Sequence, residues 1–145
     1  MDWRTAVHFA NPSLLEGITI RIIVKKFGGS SVRDFERLRR ACEIIRKDYE
    51  RGESVVVVLS AQGNTTDQLI SRAHEITSEP SPRELDALLA TGEMASVALG
   101  AIMLQHLGVP AVSLSGRQAG IHTDSVHGSA RIVNIDRDRI ERELA

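Results

Sequence analysis

A short segment with a lysine, a phenylalanine, two glycines and a serine is the part of this sequence best suited to hold a phosphate group. Lys26, Phe27, Gly28, Gly29 and Ser30 follow a β-branched run and precede a helical pattern. Glycines let backbone N–H groups approach an anion, a helix N-terminus adds partial positive charge, and a lysine ammonium can reach phosphate oxygens. The spacing matches neither the P-loop nor the GxGxxG dinucleotide fingerprint. An ordinary strand-to-helix turn explains it equally well.

A second polar segment, LSAQGNTTD at positions 59–67, follows an almost purely apolar run. Open α/β sheets bind ligands at the carboxyl ends of their strands. The hydroxyls of this segment and the following helix N-terminus could therefore hold a carboxylate or a phosphate. The alternative is a set of turn residues in which Thr65 serves as the helix N-cap.

Gly92 and Glu93 stand together inside a long apolar helical stretch. A glycine in a helix interior costs about 1 kcal/mol relative to alanine. A carboxylate among buried apolar neighbours costs more unless it is paired. These two unfavourable choices predict a site in which Gly92 gives clearance and Glu93 binds a cation. The alternative is that Glu93 lies on an exposed stripe with Asp86, seven residues earlier.

Strands and helices alternate along the chain and must position these segments. We expect four strands, at residues 18–26, 54–60, 111–115 and 131–135, with an irregular segment at 116–128. Helix starts are indicated by Ser31 with Asp34, Thr65 with Gln68, Ser81 with Glu84, and Asp136.

This alternation predicts an α/β domain with a mainly parallel sheet. The helix at 83–107 is apolar almost all round, which is typical of a buried helix. Four strands are few for such a helix, so we expect it to pack against more sheet than these strands supply. Residues 1–17 have no periodicity and are expected to form a flexible leader.

Composition excludes several classes of function. Eighteen basic and 19 acidic residues give a formal net charge of −1, unlike a protein that binds nucleic acid. Aromatic residues make up 3% of the chain, too few for base-stacking platforms. No membrane span or secretory signal is predicted. The lone Cys42 is expected to be inert core packing and favours a reducing, cytoplasmic setting.

No protein metal site is predicted. The five histidines have no metal-ligand spacing. His122 and His127, with Asp124 between them, are the nearest to a pair of ligands, and ordinary loop residues are the favoured interpretation.

Together these segments resemble the amino-acid kinase family and, within it, the aspartate kinases. The similarity extends from about Ile20 to Leu144. It depends on five blocks in the family's order and spacing: KFGGSSV from Lys26, VVVVLSAQGNTTD from Val55, RELD and LLATGE between Arg83 and Glu93, SLSGRQAGI from Ser113, and TDSVHGSARI from Thr123.

The resemblance implies a three-layer αβα sandwich that transfers the γ-phosphoryl group of ATP to the β-carboxylate of L-aspartate, the entry step to lysine, threonine and methionine. It implies that Lys26 is catalytic and neutralises the transferred group. It also implies that Thr66 and Glu93 bind aspartate, with Glu93 facing its ammonium, and that Mg²⁺ bridges the ATP phosphates. The implied nucleotide and phosphate contacts are Lys26, Phe27, Gly28, Gly29, Ser30 and Ser60.

The family's kinase domain is much longer than this stretch. We therefore expect residues 18–145 to be its N-terminal portion, incomplete as a catalyst alone, and to associate with a second copy or a complementing chain. Two alternatives stay open. One is a non-catalytic remnant or split-gene half that needs a partner. The other is a kinase of this family with another substrate, such as glutamate, acetylglutamate, carbamate or a nucleoside monophosphate.

Overall fold

The computed structural model describes residues 21–145. The leader expected at 1–17, and the first residues of the strand expected at 18–26, lie outside this range. In chain order the described elements are β1 (Ile22–Phe27), a 3-10 turn (Gly29–Ser31), α1 (Phe35–Glu50), β2 (Ser54–Leu59), α2 (Thr65–Ile76), α3 (Pro82–His106), β3 (Ile121–Thr123), β4 (Ile132–Ile135) and α4 (Asp138–Leu144).

A parallel pair of strands is the centre of the fold. β1 and β2 pair in register, from Ile22 opposite Ser54 to Phe27 opposite Leu59. Parallel neighbours need a crossover connection, and α1 supplies it. The pair and its helices confirm the predicted α/β class with a parallel sheet.

The hydrophobic core lies between one face of this pair and the helices α1 and α3. Leu38, Cys42 and Ile45 of α1 recur every three or four residues and are almost fully buried. Met103 and Leu104 of α3 meet them. The other members are Val32, Ala41 and Val109, with Phe27, Val55, Val57, Leu59, Leu107 and Ala111 packed against the cluster.

The opposite face of the strand pair carries apolar side chains that the described residues leave largely exposed. Val24 and Val58 there are 67% and 48% exposed. On α3, Met94, Leu99 and Ile102 are also exposed. The prediction that α3 is buried all round is therefore wrong within residues 21–145, because no described element packs on that side. The described chain supplies two of the three expected layers.

The helix α3 is long and apolar enough to span a membrane by length and composition. No such span was predicted. Its small residues Gly92, Ser96 and Gly100 are buried, and α3 contacts α1, α2 and β2. Such contacts are typical of a helix packed inside a domain.

The region after α3 differs from the prediction. Residues 111–115 form no strand, because a strand needs a partner edge and these residues pair with none in the described chain. β3 instead forms within the segment predicted to be irregular and pairs antiparallel with the predicted strand β4. The resulting hairpin is separate from the β1–β2 pair.

Gly120 fixes the base of this hairpin. Its φ of +83° is in the left-handed region, which favours glycine. The N–H of Asp136 donates to its carbonyl at 2.8 Å. A Cβ atom on Gly120 would collide with the Asp136 carbonyl oxygen. Asp136 itself lies one residue before the N-cap of α4, Arg137, so its predicted capping position is displaced by one.

The N-cap of α1 is Asp34 rather than Ser31, which lies in the 3-10 turn. The Asp34 carboxylate accepts the N–H of Arg37 at 2.9 Å. This hydrogen bond holds the pKa of Asp34 below its usual value, because it favours the ionised carboxyl. The start of α3 is as predicted, with Ser81 at the N-cap and Pro82 in the first turn.

The N-cap of α2 is Asn64, so the prediction that Thr65 caps this helix is wrong. Thr65 is the first helical residue, and its hydroxyl donates to the carbonyl of Gln62 at 2.6 Å. The hydroxyl therefore donates to the preceding loop, and it accepts no helix N–H group within residues 21–145.

Candidate functional site

The loop after β1 places a lysine ammonium beside a glycine backbone. Lys26 is exposed at the end of the strand. A Cβ atom built on Gly28 would lie 3.5 Å from the Lys26 Nζ atom, so the side chain lies over Gly28. Lys26 makes no ion pair within residues 21–145. Its charge is therefore available to an anion at the glycine turn.

Three successive backbone N–H groups of this turn have no acceptor within the described residues. These are the groups of Gly28, Gly29 and Ser30. The next two, on Ser31 and Val32, donate to the Gly28 and Gly29 carbonyls at 2.9 and 3.3 Å. Consecutive free N–H groups at the start of a helical turn are a favourable arrangement for an anion.

The loop after β2 packs directly on this turn. The N–H of Ser60 donates to the Phe27 carbonyl, and the N–H of Gly63 donates to the Gly29 carbonyl, both at 3.1 Å. A Cβ atom on Gly29 would lie 2.5 Å from the Ala61 carbonyl oxygen. Only glycine fits at position 29, since the two loops touch through their backbones.

The third predicted segment reaches the same place from α3. Gly92 is buried, and a Cβ atom there would lie 3.0 Å from the Ala61 Cβ and 3.3 Å from the Thr65 Cγ2. The clearance expected from Gly92 is therefore used by the protein's own packing, because α3 approaches the second loop and α2 closely. Gly29, Ala61 and Gly92 form a continuous line of contact that joins all three predicted segments.

The predicted site residues differ in exposure. Lys26, Ser30 and Glu93 are exposed, and Gly28, Gly29, Ser60 and Thr66 are half-buried. Because Glu93 is exposed, its carboxylate is in water and the burial cost expected from the sequence does not apply. Phe27 packs against the hydrophobic core, so any contact it makes with a nucleotide is through its backbone or an edge of its ring.

A buried ion pair beside the site was not predicted from the sequence. Lys25 lies on the opposite face of β1 from Lys26, and its Nζ is 2.7 Å from an oxygen of Asp48, which is 4% exposed. Arg51 pairs with the other oxygen. The Lys25 ammonium beside it holds the pKa of Asp48 below its usual value, because the positive charge favours the ionised carboxyl. The available signal was the position of Asp48, three residues after Ile45 on the buried face of α1.

Cys42, His127 and Asp86 have structural roles. Cys42 is buried as predicted, and burial raises the pKa of its thiol to about 11, which makes it a poor nucleophile. His127 lies 3.3 Å from the carboxylate of Asp86, which also accepts the N–H of Gly128 at 2.8 Å. This contact ties the loop between β3 and β4 to α3.

Comparison with known proteins gives concordant matches. A family model described as the amino acid kinase family matches residues 21–145. The aspartokinase of Geobacillus stearothermophilus is 51% identical over 123 residues, and aspartokinase 2 of Bacillus subtilis is 46% identical over the same length. Each alignment covers 85% of this chain and 30% of the relative. The chain thus spans about 30% of the length of these curated relatives.

A solved structure gives the same result. The crystal structure of an aspartate kinase from Synechocystis superimposes with a TM-score of 0.65 and 45% sequence identity. The superposition covers 68% of this chain and 17% of that chain.

Proposed function

The chain belongs to the amino acid kinase family, and we propose that it carries the ATP-phosphate side of an aspartate kinase active site. One observation supports this most strongly. The N–H groups of Gly28, Gly29 and Ser30, which have no acceptor within residues 21–145, lie beside the Lys26 ammonium, which has no ion-pair partner among the same residues, at the carboxyl end of a parallel strand. This arrangement suits the phosphates of a nucleoside triphosphate.

In the proposed reaction an oxygen of the L-aspartate β-carboxylate attacks the γ-phosphorus of ATP, the bond from that phosphorus to the β,γ-bridging oxygen breaks, and ADP leaves. The product is an acyl phosphate. Such transfer depends on positioning and on neutralising negative charge. Lys26 would neutralise the transferred group, while the Gly28 and Gly29 amides bind phosphate oxygens, with Ser30 and Ser60 beside the nucleotide.

The proposed aspartate contacts are Thr66 and Glu93. Thr66 is in the first turn of α2, where the helix N-terminus favours a carboxylate. Glu93 is exposed on the α3 segment that packs against the second loop, and its carboxylate is available to a substrate ammonium. Together they would hold both ends of an amino-acid substrate.

Mg²⁺ would enter this site on the nucleotide. Within the described residues no group of three or more His, Cys, Asp or Glu side chains is placed to hold a metal. Mg²⁺ commonly keeps several waters and binds through substrate phosphates, which suits such a donor set. When bound, the ion would neutralise charge on the phosphate oxygens.

Aspartate is favoured over other substrates of the family because the relatives named above are aspartokinases at 46–51% identity. The same relationship supports residues 18–145 as the N-terminal portion of a kinase domain. It also supports a place in the cytoplasm, which the buried, reduced Cys42 fits.

A complementing chain is the second candidate role. The exposed apolar face of β1–β2, with Val24 and Val58, and the exposed stripe of α3 with Ile102 favour it, since such surfaces are normally covered. A second copy of this chain or the remainder of a kinase domain would bury them. On this interpretation the site residues keep their roles, and turnover needs the partner.

A chimera tests the proposal independently of where this chain begins and ends. The 123 aligned residues of this chain replace their counterparts in the Geobacillus stearothermophilus aspartokinase. We expect the chimera to form aspartyl phosphate, trapped as the hydroxamate, from ATP, Mg²⁺ and L-aspartate. A folded chimera that phosphorylates glutamate or acetylglutamate in preference to aspartate would contradict the substrate assignment.

The 145-residue chain alone gives the complementary measurement. We expect it to bind Mg²⁺–ATP weakly and to produce no aspartyl hydroxamate above background. Robust turnover by this chain would overturn the expectation that it is incomplete as a catalyst.

A further inference from the structure

Within residues 21–145, three hydrogen bonds join the end of β1 and the loop after it to the loop after β2, and one of the three is made by a side chain. Two are the backbone bonds from Ser60 to Phe27 and from Gly63 to Gly29. The third runs from the Gln62 side-chain amide to the carbonyl of Val32, at 2.6 Å. Gln62 is half-buried, so this bond is partly shielded from water.

The acceptor of this bond marks the end of the glycine turn. Val32 is fully buried in the core and caps the 3-10 turn that begins at Gly29. Its carbonyl lies before α1, which starts at Phe35, and so belongs to no α-helical ladder. Gln62 is the donor that satisfies it within the described chain, and a buried carbonyl without a donor is unfavourable.

The backbone of Gln62 is hydrogen-bonded to the first residue of α2, Thr65. Its backbone carbonyl accepts the Thr65 hydroxyl at 2.6 Å and the Thr65 N–H at 3.0 Å. Thr65 in turn contacts Gly92 of α3 and precedes Thr66. One residue therefore links the turn proposed to bind phosphate with the helices that carry the proposed aspartate contacts.

We propose that Gln62 is a positioning residue that sets the separation between the Gly28–Gly29 turn and the N-terminus of α2. This inference rests on the proposed function, because those two elements would hold the phosphate donor and the carboxylate acceptor. Reacting atoms must approach to about 3–3.5 Å for transfer, so a small change in this separation has a large effect on rate. Gln62 acts through the backbone of Val32 and does not touch the reacting atoms.

Gln62→Leu removes the amide at nearly constant volume. In the chimera we expect kcat for transfer to aspartate to fall about ten- to a hundredfold, since a displacement of about 1 Å between reacting groups can lower the rate about a hundredfold. KM for ATP should change less than threefold, and ATP hydrolysis by water should be nearly unaffected, because water needs no fixed acceptor position. The ratio of transfer to hydrolysis therefore falls. A merely structural residue would lower both rates together.

Gln62→Glu tests the hydrogen bond itself. The ionised carboxylate cannot donate to the Val32 carbonyl, whereas the protonated carboxyl can. We expect its transfer rate relative to wild type to rise as the pH is lowered from 8 to 5.5. Gln68→Leu is the matched control, since Gln68 is exposed on α2 and its side chain makes no hydrogen bond within residues 21–145. It should leave the ratio of transfer to hydrolysis unchanged.

Amide hydrogen exchange on the 145-residue chain gives a readout that needs no catalysis. Gln62→Leu should speed exchange of the Ser31 and Val32 amides about tenfold, and Gln68→Leu should not. Unchanged exchange overturns the proposal whether or not the chimera is active. Faster exchange with an unchanged transfer-to-hydrolysis ratio also overturns it. An inactive wild-type chimera would contradict the proposed function and leave the exchange result to decide whether Gln62 braces the turn.

Discussion

Substitution by alanine should change the free energy of unfolding in opposite directions at Gly29 and at its neighbour Gly28. A Cβ atom at position 29 would lie 2.5 Å from the Ala61 carbonyl oxygen, and backbone cannot move aside as a side-chain tip can. At position 28 the nearest atom is the flexible Lys26 Nζ at 3.5 Å, an ordinary contact. Gly28 also has φ −73° and ψ 165°, an extended conformation that alanine adopts without strain.

The expected magnitude follows from these contacts. Overpacking of this kind costs about 1–3 kcal/mol. Separation of the loops also weakens the bond from the Gly63 N–H to the Gly29 carbonyl, which contributes about 0.5–1.5 kcal/mol. Gly29→Ala should therefore lower the free energy of unfolding by about 2–4 kcal/mol. Gly28→Ala should change it by less than about 1 kcal/mol, and in the stabilising direction, through the unfolded chain.

Urea denaturation of the 145-residue chain, followed by circular dichroism at 222 nm, measures both. With a slope of about 2 kcal/mol per molar urea, Gly29→Ala should lower the midpoint by about 1–2 M. The Gly28→Ala midpoint should equal or slightly exceed that of wild type. Equal midpoints for the two variants would refute the close approach of the loops.

Three further predictions concern other parts of the fold. The pKa of Asp48 is lowered by folding, so its ion pair with Lys25 stabilises the folded chain fully above the unfolded carboxyl pKa of about 4. This stabilisation is lost as the pH falls through the folded pKa. The urea midpoints of wild type and Asp48→Asn should therefore converge below pH 4. Cys42, with a thiol pKa of about 11, should resist iodoacetamide at pH 8 in the folded chain and react fully in 8 M urea, and rapid native labelling would contradict its burial. Asp86→Ala should speed exchange of the Gly128 amide, which Asp86 accepts at 2.8 Å, while the surface control Asp67→Ala should not.

The first half of the fold was predictable because local signals and tertiary packing agree there. β1 and β2 contain β-branched runs and pair with each other. The apolar residues of α1, such as Ile45, recur with helical periodicity on the face that packs against these strands. The three segments that meet at Ala61, which contain Gly29, Ala61 and Gly92, were all among the blocks on which the family resemblance depends. Sequence alone did not indicate that Gly92 is used for packing, since its role depends on which element lies opposite.

The second half was less predictable because strand formation depends on partners. Residues 111–115 have no partner strand within residues 21–145, whereas Ile121–Thr123, which is too short to give a strand pattern, pairs with β4 next to the Gly120 carbonyl that accepts the Asp136 N–H. The role of Gln62 was also not predictable from the sequence, because its bond to Val32 spans 30 residues. Long-range contacts of this kind have no local pattern.

Replacing Lys26 by methionine in the chimera tests the central proposal most directly. Methionine keeps an unbranched side chain as far as the ε-carbon and removes the ammonium beside Gly28. The matched control is Lys47→Met, because Lys47 is exposed on α1 and makes no ion pair within residues 21–145. If the Lys26 ammonium neutralises the transferred phosphoryl group, Lys26→Met should lower kcat for aspartyl phosphate formation by about a hundredfold or more. Lys47→Met should leave kcat unchanged. Undiminished turnover by Lys26→Met would contradict the assignment of this turn as the phosphate site.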